Sequence, residues 1–382
     1  MNKKIIFVSL IFVILSVTLL LGAEKLQNEL FGTKFQNELA KQIFNKCKYD
    51  SHCAIEYLQK VSQSHNKETV MGAVNELIFT YSESMPLCHQ NSHHIGNFVY
   101  GYFGNVKDAI ESINATDCGG SIIHSIIQNH MDSQVLLYNT DPTQVDFLSI
   151  CPGSTEYPTI DRWECIHGVG HGLASIYGYN VSTAVSACQK YDDWEQISCA
   201  KGLFMENVVR FKELHDSDFN EDDLSYPCDI LDDAIAAPCY HYQPTFVDYV
   251  LDDPEKTINY CKTVEEKFSE YCFRGIGRLY SFLAVSDIKK IDLLCNTKYI
   301  PYEKLTYCYQ GVAMVFADNR SIPEALTVCQ SIPEEFQNDC VGEVGKWIKL
   351  VNSDSVQQCQ TLNSEKLVQT CMNSKIQGIS IL

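Results

Sequence analysis

Asp253-Pro254-Glu255-Lys256-Thr257-Ile258-Asn259-Tyr260-Cys261, followed by Tyr271-Cys272-Phe273-Arg274-Gly275-Ile276-Gly277, contains one complete repeat of this chain. Aspartate caps a helix. Proline takes the first helical position, where its missing N–H costs nothing, and glutamate follows at the positive end of the helix dipole. This first helix ends near Cys261. A short polar segment leads to a second helix that begins near Cys272 and carries two glycines. Ser321-Ile322-Pro323-Glu324-Ala325-Leu326 is a looser copy of the same start.

The plan recurs along the sequence. The 18 cysteines fall largely into close couples: Cys47/Cys53, Cys151/Cys165, Cys188/Cys199, Cys228/Cys239, Cys261/Cys272, Cys295/Cys308, Cys329/Cys340 and Cys359/Cys371. Second members of the later couples return roughly every 31 to 40 residues, the period of helix pairs stacked into a solenoid. Glycine stands three residues after Cys165, Cys199, Cys272 and Cys308, and five after Cys165, Cys272 and Cys340. A helical glycine costs about 1 kcal/mol relative to alanine, so its return at one register predicts close helix packing. Cys239-Tyr240-His241-Tyr242-Gln243-Pro244 departs from the pattern, and Pro244 is expected to distort that helix start. Cys88 and Cys118 have no near partner and are expected to join each other, or else to remain as thiols.

These features predict an all-α fold, an α-solenoid of helical hairpins each stapled by a local disulfide. Over roughly 150–382 the arrangement resembles tetratricopeptide-type repeats with a cystine added to each unit. That resemblance is architectural and implies no activity.

The N-terminus reads as an address. Asn2, Lys3 and Lys4 precede an uncharged run from Ile5 to Ala23, so 1–23 is a signal peptide or an N-terminal membrane anchor. Leu21 is a poor residue three places before a cut after Ala23. Either reading exports everything that follows, and 18 cysteines suit an oxidising compartment. Beyond the leader, 24–84 is read as an N-terminal helical region, 85–215 as histidine-rich repeats and 216–382 as supporting repeats. The formal charge of −19 disfavours nucleic acid and anionic lipid as partners. Asn114-Ala115-Thr116, Asn180-Val181-Ser182 and Asn319-Arg320-Ser321 are glycosylation sequons.

Seven of the 11 histidines lie between 89 and 171. Six of them sit in Cys88-His89-Gln90-Asn91-Ser92-His93-His94, in Cys118-Gly119-Gly120-Ser121-Ile122-Ile123-His124, and in Cys165-Ile166-His167-Gly168-Val169-Gly170-His171-Gly172. His94, His124 and His171 are each six residues after a cysteine, so stacked second helices would align them. His167 and His171 are one turn apart, as are His89 and His93. Glu206 follows at the next register position of the next repeat. At the sixth position later repeats carry Arg278, Met314 and Lys346 instead. The candidate metal ligands are therefore His93, His94, His124, His167 and His171. Glu206 is the candidate proton carrier for a metal-bound water. Imidazole with one carboxylate suits zinc, copper or iron.

This predicts an exported metal-binding protein, with a metal-dependent hydrolase or oxidase as the expected activity. The alternative is an extracellular repeat scaffold that binds a protein or glycan on its concave face, with the histidines in structural roles. The idea is similar to deoxyhypusine hydroxylase, whose helical repeats hold iron with adjacent His-Glu dyads. No such dyad occurs here. The Cys165–Gly172 string and Gly202-Leu203-Phe204-Met205-Glu206-Asn207 also look like segments of uncharacterised exported prokaryotic proteins. No Gly-x-Ser-x-Gly, phosphate-binding glycine loop or haem-attachment motif is present, and Cys118-Gly119-Gly120-Ser121 is no nucleophile motif.

Overall fold

The computed structural model describes residues 37–84, 88–113, 118–137, 139–151, 159–215, 217–285, 291, 295–296, 298–319, 322–351 and 353–374. The leader at 1–23 and the sequon at 114–116 lie outside the described residues, as does part of the sequon at 319–321. Asn180 is exposed and caps the helix that follows it. Among the described residues there are 16 α-helices, no strand and nine disulfides, and no helix is long and apolar enough to cross a membrane.

The chain divides into two units, Met1–Met85 and Pro86–Leu382. In the first, α1 (Glu38–Cys47), α2 (Ser51–Val61) and α3 (Lys67–Ser84) pack around Ala40, Ile43, Leu58 and Leu77. Asn37 caps α1 through its carbonyl oxygen while its amide donates to the Thr69 carbonyl at 3.2 Å. Cys47–Cys53 staples the first turn between helices.

The second unit is the solenoid. Its inner row runs α4 (Cys88–Phe103), α6 (Ser121–Leu136), α7 (Ile160–Ile176), α9 (Asp193–Leu214), α10 (Asp233–Leu251), α12 (Glu266–Val285), α13 (Leu305–Asn319), α15 (Glu334–Val351) and α16 (Glu365–Asn373). Each of these packs on the next. Shorter helices behind them are α5 (Val106–Glu111), α8 (Val181–Cys188), α11 (Pro254–Cys261) and α14 (Ile322–Ser331). In α11 the Asp253 carboxylate accepts from Glu255 and Lys256 N–H, with Pro254 in the first turn, as its sequence requires.

The eight close cysteine couples are all disulfides, and Cys88 joins Cys118. No free cysteine exists among the described residues. Closing a loop of roughly 15 residues contributes about 3 kcal/mol by restricting the unfolded chain. Two expectations need correction. Most second helices begin about two turns before their cysteine, as α9 does ahead of Cys199. And α10 runs through both Pro238 and Pro244 as one helix. Room for the Pro244 ring exists because α12 presents Gly275 there, where a Cβ would stand 2.9 Å from Pro244 Cγ.

Glycines set the spacing of the inner row. A Cβ on Gly170 of α7 would overlap the Cys199 carbonyl oxygen of α9, and one on Gly202 of α9 would overlap the His167 carbonyl of α7. Gly277 and Gly311 repeat this reciprocal contact between α12 and α13. The row also curls. Asp318, near the end of α13, returns to the turn before α6, where a Cβ on Gly119 would stand 3.4 Å from the Asp318 carbonyl.

Gly202→Ala is therefore expected to destabilise the protein by about 3 kcal/mol, because two backbones must part. Gly101→Ala on α4, where nothing lies within 4 Å, should be neutral or raise stability by up to about 1 kcal/mol. Denaturant unfolding of both variants checks the contrast.

Candidate metal centre

The inner helices α4, α6 and α7 bring five imidazoles into one cluster. His89 and His93 come from α4, His124 from α6, and His167 and His171 from α7. Ring centroids lie 4.4 Å apart for His124 and His167, 5.1 Å for His89 and His93, and 5.2 Å for His93 and His171. Two triads, His89/His93/His124 and His124/His167/His171, each offer ligand atoms within 4.8 Å of one another. Ligands of a tetrahedral zinc at about 2.0–2.1 Å stand roughly 3.4 Å apart, so small side-chain rotations suffice to close on an ion. His124, His167 and His171 are buried, and His89 and His93 half-buried.

Small residues bring the rings together. Gly168 of α7 faces the α6 backbone, where a Cβ would stand 2.9 Å from His124 Cα. Ser125 Oγ donates to the His93 carbonyl at 2.6 Å, which docks α6 on α4. The Cys118-Gly119-Gly120 turn has φ of 59°, 61° and 64°, a left-handed path that favours glycine. It serves two site residues. The Cys118 carbonyl accepts from His89 Nδ1 at 2.9 Å. Gly120 leaves room for the Glu164 carboxylate, which a Cβ there would meet at 2.5 Å.

Each triad thus has support behind it. Glu164 Oε2 lies 2.6 Å from His124 Nε2, and Glu206 Oε2 accepts from His171 Nδ1 at 2.9 Å. Glu206 Oε1 also accepts from Gln128 Nε2 at 3.1 Å. The His–Glu pairing that is absent from the sequence as adjacent residues is therefore present in space, across neighbouring helices. Of the ring nitrogens, His89 Nε2, His124 Nδ1, His167 Nε2 and His171 Nε2 are buried and lack a hydrogen-bond partner.

Burial dominates the electrostatics. It holds the His89 pKa down to about 3, aided by the neighbouring His171. Burial and adjacent rings hold His93, His124 and His167 well below the ordinary imidazole value. Burial pushes the Glu164 carboxyl well above its own. His89, His93, His124 and His167 are thus held as neutral imidazoles, the form that binds metal.

Of the residues singled out in the sequence, His93, His124, His167 and His171 meet in this cluster. His94 belongs to neither triad, and His89 stands there with His93. Glu206 lies behind His171. Glu164 gave no sequence signal beyond its place before Cys165. No protein-family model, curated protein or solved structure matches this chain, so its function is argued from this geometry.

Two outcomes follow. Unfolded histidines take up protons near 6.5, and the folded rings resist to lower pH, His89 to about 3. Below 6.5 the unfolded state binds more protons, and stability falls with pH by up to about 1.4 kcal/mol per unit for each ring. Glu164, with its raised value, opposes this in part. Thermal melts of metal-free protein between pH 7 and 4 should decline steadily, and less so in His89→Ala/His93→Ala. Second, the Cys88–Cys118 bond anchors the helix of His89 and His93. Replacing both cysteines by serine should weaken metal binding at least tenfold, whereas the same change at Cys329/Cys340 should only lower the unfolding midpoint.

Proposed function

We propose that this chain is a metal-binding protein of an oxidising, extracytosolic compartment. Its histidine centre would hold one divalent transition ion, zinc, copper or iron, and serve a metal-dependent hydrolase or oxidase. The observation that carries this reading is the set of four buried, unpartnered ring nitrogens on His89, His124, His167 and His171. Leaving a buried polar atom unbonded costs about 1–3 kcal/mol. A cation held by His124, His167 and His171 would satisfy three of them together.

A single ion is the better reading. With Nε2 on Glu164, His124 has only Nδ1 to give, so the two triads share one ligand atom. The carboxylates fit the role of outer partners. Glu206 holds the far nitrogen of His171, which fixes its tautomer and leaves Nε2 for the ion. Without a cation, burial favours an uncharged His124–Glu164 pair. With a cation held at Nδ1, the His124 ring proton would sit on Nε2 and the charge on Glu164. Zinc held by these residues would supply hydrolytic chemistry near neutral pH. Copper or iron supports oxygen chemistry. Glu206, tied to His171, is a positioning residue in this scheme. The nine disulfides support the extracytosolic setting, and the leader at 1–23 and exposed Asn180 fit export and glycosylation there.

The test is metal content. The full chain made in an oxidising host should carry about one ion per chain by elemental mass spectrometry. His167→Ala/His171→Ala should lose it while keeping its helicity and disulfides. A folded protein that takes up neither zinc, copper nor iron would sink the proposal and leave a repeat scaffold for protein or glycan as the better account.

A further inference from the structure

The curl of the inner row puts a second set of charged groups beside the histidines. Lys201 on α9, His241 on α10, Arg274 on α12 and Gln310 on α13 each stand two residues after their cysteine, continuing the position that His167 holds on α7. Arg278, one turn beyond Arg274, continues the position of His171. The contact of Asp318 with the Gly119 turn brings the two sets near each other, and the Arg278 charge acts on His89, the Lys201 charge on His167 and Glu164.

Lys201 and Arg278 are unusual cations. Neither is fully exposed, and neither has a carboxylate within ion-pair distance among the described residues. Each is held instead by an aromatic face. Arg278 lies 4.4 Å from the centroid of Tyr242, itself buried, and Lys201 lies 5.6 Å from that of Trp163. Aromatic faces hold a cation in place without neutralising it; the acid that acts on both is Asp318, whose own carboxyl burial pushes up to about 6. Around them are two more unmet groups, the Nδ1 of buried His241 and the Oδ1 of Asp318. Arg274 is committed to Gln310, donating from Nε at 3.0 Å. It also lines an open groove of about 490 Å³ shared with Gln310, Glu343 and Lys346.

We propose that Lys201 and Arg278 form an oxyanion-binding arm beside the histidine centre, and that the ligand of this protein presents a carboxylate or phosphate group to them. Asp318 and His241 would then bond the polar hydrogens and acceptors of the same ligand. The reading of the centre as a metal site supplies only the ligand's second contact. The arm itself is made of groups that need no metal.

Inorganic phosphate and acetate serve as probes, titrated against the full chain in metal-free and metal-loaded form, with calorimetry and melting temperature as readouts. At least one probe is expected to bind and to raise the melting temperature in both forms. Lys201→Gln/Arg278→Gln should weaken that binding at least tenfold while metal content stays at the wild-type level. Arg278→Lys, which keeps the charge but not the fork, should weaken phosphate more than acetate and guards against a variant that fails to fold. The relative affinity of the two probes separates a phosphate from a carboxylate ligand. Binding by a chain that takes up no metal would uphold the arm and refute the metal centre. Binding only to the loaded form, and unchanged in the double variant, would mean that the anion sits on the metal and would overturn the arm. No binding of either probe to either form would also overturn it.

Discussion

Contact between the backbones of successive inner helices is the constraint on which the rest of the molecule depends. Where Gly170 meets the Cys199 carbonyl and Gly202 meets the His167 carbonyl, no side chain separates α7 from α9. Ser198 follows the same logic, its buried hydroxyl donating to the Trp163 carbonyl at 2.7 Å. An imidazole reaches only a few ångströms from its Cα. Rings on three helices can share one point only if those helices run closer than larger side chains would permit. The glycines pay in helix propensity and gain a cluster of rings that point inward. The disulfides complement them, since each fixes a hairpin whose own interface is too small to hold it.

The fold was largely legible because its signals are local. An Asp-Pro-Glu start, a cysteine couple and a glycine at fixed offset each act within one hairpin, and Asp253, Cys261 and Cys272 do what their spacing requires. The starts of the second helices were less legible. Their first turns hold charged residues such as Asp193 and Glu195 in α9, or Glu334 and Glu335 in α15, which in sequence look like a polar link. Pro244 misled for a different reason, since its tolerance depends on Gly275 of another helix.

The site was legible where it follows the repeat. His124 and His171 share a register, and His167 lies one turn from His171. His89 departs from that register, and its ring is held by the Cys118 carbonyl, a contact across two helices. Glu164 needs the gap left by Gly120. The approach of Arg278 and Asp318 depends on the curl, the sum of small rotations between repeats that no single repeat encodes. Residues 216–382, which in sequence offer no ligand pattern, thus supply charges near the histidines. From Pro86 onward the two stretches lie within one compact unit.

The shortness of the disulfide loops bears on how such a chain matures. Eight of the nine bonds join cysteines 6 to 14 residues apart, and the other spans 30. Every partner is therefore close at hand in the chain, and each inner helix docks on the one before it. Such a topology has low contact order and folds quickly. A polypeptide entering oxidising solvent from its N-terminus can close each staple before the next cysteine couple arrives, so 18 thiols need not search one another for partners. The histidine cluster, complete once α7 has docked, precedes the later repeats in that order. Lys201 comes with α9 and Arg278 only with α12, so the five rings are gathered before the last of the neighbouring cations is in place.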